Sequence, residues 1–164
     1  MPQCPLRRAG RTGFTLVEVL IVVVILGILA ATVLPQFTNS SQDAKESALK
    51  TDLQNLRAQI AMYRVDHTGL YPAQGQTVQA TFIACMFGKT NADGTANPTS
   101  GTYGPYFTGS QMPPNPFNNL TTMTIATSDV VADNTTGWIY NSTTGTIKAN
   151  STGNCADGTP LSSL

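Results

Sequence analysis

The clearest pattern in the chain is an apolar run over residues 14–34 that contains one charged residue, Glu18. Its 21 residues would form roughly 31 Å of helix, which matches the hydrocarbon thickness of a membrane. Arg7, Arg8 and Arg11 precede the run, so the positive-inside rule places the amino terminus in the cytoplasm and the following chain outside. The pattern predicts one transmembrane helix that anchors an exported domain.

A second helical pattern follows the apolar run. Ser40, with Asp43 three residues later, has the form of a capping box, which predicts that a helix restarts there. Glu46 and Lys50 are spaced for a small exposed ion pair on this helix. Apolar residues recur at steps of three and four and predict a core-facing stripe: Leu49, Leu53, Leu56, Ile60 and Tyr63. We assign residues 35–72 to this amphipathic half and its end, which Asp66–Gly69 and Pro72 mark.

Residues 73–164 are rich in Thr, Asn, Gly and Ser, and their apolar segments are short. Residues 79–87 fit either a short helix or a buried strand. Residues 112–119 contain three prolines and predict an irregular loop. Residues 121–126 predict a strand, and residues 137–150 predict a hairpin in which Trp138 and Ile147 are core or edge residues. We therefore expect an α+β fold, with a long amino-terminal helix packed on a small antiparallel sheet.

The charge distribution argues against nucleic-acid binding. The chain has 9 basic and 9 acidic residues. Subtracting the three arginines before residue 14 leaves 6 basic against 9 acidic residues, so the main body is mildly acidic. After Arg64 the only basic residues are Lys89 and Lys148, whereas a nucleic-acid binder normally carries a basic stripe on its folded part.

Side chains suited to catalysis or metal binding are scarce. His67, the one histidine, adjoins Asp66 at a predicted helix end but has no nucleophile at a recognisable spacing, so we interpret it as a surface histidine and expect no enzyme. We interpret the loop oxygens of Asn91, Asp93 and Asp157 as turn residues. Their spacing matches no ordered calcium loop, so we assign no metal or other cofactor, with a calcium site as the alternative.

The three cysteines are too scattered for a metal site. Cys4 lies ahead of the apolar run. Export would place Cys85 and Cys155 in an oxidising compartment, so we predict that they pair, closing a loop of about 70 residues worth roughly 4 kcal/mol. Two buried free thiols are the alternative.

Glu18 is the most informative residue of the apolar run. A carboxylate inside a membrane span costs about 2.5–3.5 kcal/mol on insertion scales, so it needs a partner or a hydrated place near the headgroups. Cleavage after Gly13 would create an amino group on Phe14, a cation four residues from this carboxylate. Processing would therefore supply the missing partner.

The run GFTLVE over residues 13–18, with its basic leader and long apolar helix, resembles the processing motif of the type IV pilin and type II secretion pseudopilin superfamily. The resemblance implies that residues 1–13 are a leader and that a membrane aspartyl peptidase cuts between Gly13 and Phe14. It also implies that Phe14 becomes N-methylated and that Glu18 neutralises the amine of an adjacent subunit during assembly.

Further stretches extend the resemblance. Residues 50–73, with Tyr71 and Pro72, are similar to the corresponding part of major, G-type secretion pseudopilins, and this likeness favours a helix over residues 79–87. Pro35 falls where such subunits carry a helix-bending proline. Gly27 is a second weak point, and the resemblance implies that the helix partly unwinds between the two in a filament. It also implies a pilin-like fold.

The resemblance implies a structural subunit that leaves the bacterial inner membrane and packs into a short helical secretion fibre. Its implied partners are further copies of the chain, minor pseudopilins, the prepilin peptidase, an inner-membrane assembly platform and, before assembly, lipid. A type IV pilus subunit for adhesion, motility or DNA uptake is the first alternative. A periplasmic binding module on an uncleaved anchor is the second, and a conventional cleaved signal peptide is a weaker one, since Leu29, Ala30 and Ala31 form a poor cleavage site.

Overall fold

The computed structural model describes residues 13–164, and for residues 34–39 it describes the backbone alone. In chain order it contains α1 (Leu16–Asp66), α2 (Gln79–Phe87), β1 (Met123–Ala126), β2 (Trp138–Asn141) and β3 (Thr146–Ala149), followed by a 3₁₀ turn at Leu161–Ser163. The chain divides into two compact units, one ending at Ser40 and the other comprising Ser41–Leu164. The α+β fold class is confirmed.

In the first unit, the part of helix α1 from Leu16 to Val33 presents mostly apolar side chains to its surroundings. By length and composition, Leu16–Val33 can cross a membrane. None of these eighteen residues is buried, so nothing within the described part of the chain covers this surface.

Helix α1 is assigned without a break from Leu16 to Asp66, so the predicted restart at Ser40 is wrong. A capping box requires a first residue with non-helical backbone, whereas Ser40 lies inside the helix. Polar residues such as Ser and Asn are only weakly unfavourable in a helix, so the polar stretch does not stop it. The predicted end at residues 66–69 is confirmed, and Gly69 there adopts a φ of 97°.

The second unit is built around the predicted apolar stripe of α1. All five stripe residues are buried: Leu49, Leu53, Leu56, Ile60 and Tyr63. They share one core with Phe82 and Met86 of α2 and with Trp138, Tyr140 and Ile147 of the sheet. Trp138 and Ile147, predicted as core or edge residues, are therefore core residues, and the predicted layer of helix against sheet is confirmed.

The sheet has the order β1-β2-β3 and is mixed, not antiparallel as predicted. The hairpin is confirmed, because β2 and β3 are antiparallel with Trp138 opposite Ala149. Strand β1, however, runs parallel to β2, with Met123 opposite Trp138. The reason is the connection over residues 127–137, which carries the chain back to the start of the sheet before β2 begins.

A buried asparagine holds this connection in place. The side chain of Asn150 donates to Asp133 Oδ1 and Thr136 Oγ1, both at 2.8 Å. Its Oδ1 accepts from the backbone amides of Asp133 at 2.8 Å and Asn134 at 3.1 Å. All hydrogen-bonding positions of the amide are used, which compensates for its complete burial.

Two further predictions, one of a helix and one of a loop, are also confirmed. Residues 79–87 form helix α2, which buries Phe82, Cys85 and Met86. Residues 112–119 form a loop without helix or strand. The loop is fixed to the sheet, since Trp138 Nε1 donates to Pro113 O at 2.9 Å and Asn115 Nδ2 donates to Gly137 O at 2.7 Å.

Candidate processing and assembly site

The candidate processing site lies in backbone that is neither helix nor strand. Gly13, Phe14 and Thr15 precede the first helical residue, Leu16. The Phe14 side chain is 88% exposed. The peptide bond between Gly13 and Phe14 is therefore outside the helical hydrogen-bond ladder.

Thr15 and Glu18 form a capping box that starts α1. The Glu18 amide donates to Thr15 Oγ1 at 3.2 Å, and the Thr15 amide donates back to Glu18 Oε2 at 2.8 Å. The Thr15 hydroxyl donates to the same carboxylate oxygen, also at 2.8 Å. Two amides that lack partners at a helix start are thus satisfied reciprocally.

The role of Thr15 was not predicted, although the signal is present in the sequence. Thr15 and Glu18 have the Ser/Thr-x-x-Glu spacing directly before an apolar run, which is the recognised capping-box pattern. The capping box predicted at Ser40 lies where the helix continues without a break. The two positions differ in the residue three places later. Glu18 has a side chain long enough to reach back to the Thr15 amide, whereas Ser40 is followed by the shorter Asp43.

The capping box changes the interpretation of Glu18. Its carboxylate accepts two hydrogen bonds from Thr15 within its own chain, so its hydrogen-bonding needs are partly met without a second subunit. The negative charge still lacks a cation. With Gly13 attached, the Phe14 nitrogen is a peptide nitrogen, so the predicted pairing of Glu18 with a Phe14 amine remains a prediction.

Gly27 and Pro35 both lie within α1. A Cβ atom built on Gly27 would meet no atom within 4 Å, so the residue leaves open space on the helix surface for a close neighbour. The backbone at Pro35 is helical. The proposed unwinding between these residues belongs to an assembled filament and remains a prediction.

His67 is not a surface histidine, which corrects the prediction. Its side chain is completely buried at the end of α1. Nδ1 lies 2.8 Å from Tyr63 O and Nε2 lies 2.8 Å from Thr90 Oγ1. Because a carbonyl only accepts, Nδ1 donates to Tyr63 O, and Nε2 forms its hydrogen bond with the Thr90 hydroxyl. The ring also stacks on the core residue Tyr63 with ring centroids 3.9 Å apart, so His67 packs against the core.

The predicted turns at Asp93 and Asp157 are confirmed. Asp93 Oδ1 accepts from the Thr95 amide at 2.9 Å, and Asp157 Oδ1 accepts from the Thr159 amide at 2.9 Å. Asn91 Nδ2 donates to Thr95 Oγ1 at 2.9 Å in the same turn as Asp93. These oxygens are engaged in Asx-type turns.

The predicted disulfide is not formed, because Cys85 and Cys155 are both buried free thiols. Cys85 Sγ and the Tyr63 hydroxyl both donate to Gly94 O, at 3.7 Å and 3.0 Å. Next to Cys155, the Ala156 amide donates to Glu46 Oε1 at 2.6 Å. Glu46 and Tyr63 are 17 residues apart on α1, about 25 Å along the axis, whereas bridged Cα atoms lie within about 7 Å.

Glu46 also departs from its prediction. It was expected to form an exposed pair with Lys50, but its side chain is buried and accepts from Ala156. Gln42 Nε2 donates to the backbone oxygen of Asn154 at 3.2 Å. Together these contacts fix the carboxy-terminal segment to the start of the amphipathic half of α1.

The chain matches one protein-family model and is similar to several named proteins. The family model described as the prokaryotic N-terminal methylation motif matches residues 8–34. A type II secretion system core protein G of Pseudomonas aeruginosa is 41% identical over 75 residues, which is 46% of this chain and 52% of that protein. The same-named protein of Vibrio cholerae is 41% identical over 70 residues, covering 43% and 47%.

A relative with another name is also similar. The ComG operon protein 3 homolog of Bacillus licheniformis is 30% identical over 71 residues, which is 43% of this chain and 73% of that protein. The chain spans about half the length of the secretion-system relatives it matches. No solved structure matches.

Proposed function

Because the chain belongs to the superfamily of type IV pilins and type II secretion pseudopilins, we propose that it is a structural subunit of a type II secretion pseudopilus. The observation that carries the proposal is the methylation motif on an apolar helix that no described residue covers. The secretion-system names of the core protein G relatives favour a pseudopilus over other filaments. A filament gives the exposed helix the apolar neighbours that water cannot provide.

In this proposal the peptidase cuts between Gly13 and Phe14, and Phe14 is then N-methylated. The chain is held in the inner membrane with its amino terminus in the cytoplasm, while residues 41–164 fold in the periplasm. Gly27 and Pro35 let the helix partly unwind as subunits pack. The work of the protein is assembly rather than catalysis, with further copies, minor pseudopilins and an assembly platform as partners, and it requires no cofactor.

Glu18 carries the assembly step in this proposal. The new amine of Phe14 in one subunit pairs with the Glu18 carboxylate of its neighbour. The capping box supports this role, because Thr15 holds the carboxylate at the first turn of the helix. The neighbour's amine then adds the cation that the apolar environment demands.

Mass spectrometry of the protein from its native membrane tests the processing step. The expected mature chain begins at an N-methylated Phe14. An intact segment 1–13 would contradict the filament proposal and favour an anchored binding module. A first residue near Thr32 would point to a conventional signal peptide.

Two matched substitutions test the assembly step. Glu18→Gln keeps a side chain that can complete the capping box but removes the charge. Thr15→Ala keeps the charge but removes the cap. We expect both variants to be cleaved normally, and only Glu18→Gln to be poorly incorporated into filaments. Equal assembly of Glu18→Gln and wild type would remove the proposed ion pair.

The type IV pilus is the second candidate, because the methylation motif and the apolar helix suit a subunit of either filament. Deletion of the gene separates the two machines. Loss of exoprotein release with surface fibres unchanged supports the pseudopilus. Loss of surface fibres with secretion unchanged supports the pilus.

A further inference from the structure

The amphipathic half of α1 carries its positive charges on one flank of the buried stripe. Lys50, Arg57 and Arg64 recur every seven residues, which is about two helical turns, so they form one row. All three are exposed. We call this row the basic flank.

The opposite flank of the same helix carries acidic and amide side chains. Asp52, Gln59 and Asp66 also recur every seven residues. Each follows a residue of the basic flank by two positions, about 200° around the helix, which places the two rows on either side of the buried stripe. We call this row the acidic flank. The outer face between the flanks is uncharged and ends in the exposed side chains of Met62 and Val65, which are 57% and 81% exposed.

The two flanks have no ion-pair partners within residues 13–164, where the one ion pair joins Lys148 to Asp129. Arg57 Nη2 donates to Ile147 O at 3.2 Å, which leaves most of its donors free. Arg64 is more committed, because it donates to Gly69 O and lies 4.9 Å from the ring centre of Tyr71. Arg57 is therefore the cation of this flank best placed to bind another molecule.

A groove lies beside the acidic flank. It encloses about 400 Å³ and is lined by Asp52, Leu56 and Gln59 of α1 together with Phe87 and Phe107. The two phenylalanine rings are 5.3 Å apart. Burial by these neighbours raises the pKa of Asp52 above its ordinary value. A carboxylate beside aromatic faces suits a guanidinium, which can pair with the acid and stack on the rings.

We propose that a second copy of this chain docks its basic flank against the acidic flank of the first, with its Arg57 entering the groove at Asp52. The inference rests on the proposed filament function and names the surface that joins neighbouring soluble domains. In parallel copies of α1, Arg57 of one chain opposite Asp52 of the other offsets the two helices by five residues, and the shared seven-residue spacing then brings Arg64 opposite the side-chain amide of Gln59. Because the flanks differ, the contact is heterologous, and its repetition extends an open helical assembly.

A charge swap in the full-length chain tests this contact. Asp52→Arg and Arg57→Asp each place like charges together, and we expect each to lower the yield of filaments by about tenfold or more. The double variant restores opposite charges across the contact and should recover a yield close to wild type. Failure of the double variant to recover, with both single variants defective, would overturn the proposed pairing.

Lys148 and Asp129 provide the matched control, since they pair with each other and belong to neither flank. Reversing Lys148 to Asp should leave the filament yield unchanged, and an equal loss there would show that any charge reversal disturbs assembly. Thermal unfolding of each variant identifies folding defects. The milder pair Asp52→Asn and Arg57→Gln gives an independent double-mutant cycle, in which additive effects would overturn the contact.

The outcomes also separate this inference from the function on which it rests. Absence of filaments from wild-type protein that is correctly processed overturns both. Normal filaments from wild type, Asp52→Arg and Arg57→Asp alike overturn the contact and leave the pseudopilus intact.

Discussion

Helix α1 has an apolar first half, Leu16–Val33, and an amphipathic second half that begins at Ser41, and the two halves have opposite surroundings. Leu20 in the first half is 54% exposed, whereas Leu53 in the second is 1% exposed. The second half has an apolar stripe that the rest of the chain covers. The first half is apolar all round, and nothing in residues 13–164 covers it. A helix buried on one face is completed by its own chain, whereas a helix apolar on every face needs lipid or other copies.

Matched truncations, one in each half of α1, test this difference with the largest expected effect. Leu53→Ala should destabilise the second unit by about 2–5 kcal/mol, because it removes a fully buried side chain and leaves a cavity. Leu20→Ala removes the same atoms from the uncovered half and should leave unfolding of the second unit unchanged. Urea unfolding of the full chain in detergent, followed by tryptophan fluorescence of Trp138, measures both. Equal effects would contradict the division into two units.

A charge placed in each half gives the next largest effect. Leu26→Lys should weaken membrane insertion by about 2.5–3.5 kcal/mol, the cost of a charge at the centre of a span. Gln54→Lys, on the exposed surface of the second half, should leave insertion unchanged. The fraction of each variant that resists alkaline extraction from membranes reports insertion. Unimpaired insertion of Leu26→Lys would mean that this segment does not span.

A smaller effect is expected where the first half begins. Thr15→Ala removes the hydroxyl that completes the capping box with Glu18 and should cost the first turn of α1 about 0.5–2 kcal/mol. Amide hydrogen exchange near Leu16 should accelerate, while exchange around Leu53 stays slow. Thr15→Ser, which keeps the hydroxyl, is the control and should behave like wild type.

The smallest effect concerns the pH dependence of the stability of the second unit. Hydrogen bonds from the Asn150 side chain and from Thr135 lower the pKa of Asp133. Because the folded-state pKa is below the unfolded one, Asp133 stabilises the fold above about pH 4 and loses this contribution as pH falls through its folded value. Asp133→Asn should therefore flatten the loss of stability in acid.

Asp52 supplies a control of opposite sign. Burial raises its pKa in the folded state, so its ionisation opposes folding at neutral pH, and this penalty disappears on acidification. Asp52→Asn should consequently steepen the acid-induced loss of stability that Asp133→Asn flattens. Unfolding midpoints measured between pH 3 and pH 7, a window set by the unfolded carboxyl pKa of about 4, test both. Parallel changes in the two variants would contradict the assigned signs.

Local patterns in the sequence predicted the elements of this fold well. The apolar stripe from Leu49 to Tyr63 follows a helical repeat, and the hairpin around Gly145 follows strand and turn chemistry, so short-range rules suffice for both. The same holds for the loop at residues 112–119, where prolines exclude a strand.

The predictions that failed depend on residues far apart in the chain. His67 is buried because Thr90 arrives 23 residues later to bind its ring, and Glu46 is buried because Ala156 reaches it from 110 residues away. The parallel pairing of β1 and β2 depends on a connection that Asn150 secures from beyond the sheet. Such contacts leave no periodic signal in their neighbouring sequence. At the candidate site, the motif identified Gly13, Phe14 and Glu18. The role of Thr15 was not predicted, although its spacing from Glu18 is visible in the sequence.

The capping box at Thr15 has a consequence for the enzyme proposed to act on this chain. A peptide bond inside a helix has its amide and carbonyl engaged by neighbouring turns, so a hydrolase must first unwind it. Here the helix starts at Leu16, and the bond between Gly13 and Phe14 remains in open backbone directly ahead of it. Thr15 and Glu18 therefore begin the helix beyond the proposed cleavage bond, so the proposed hydrolysis would require no unwinding of the span.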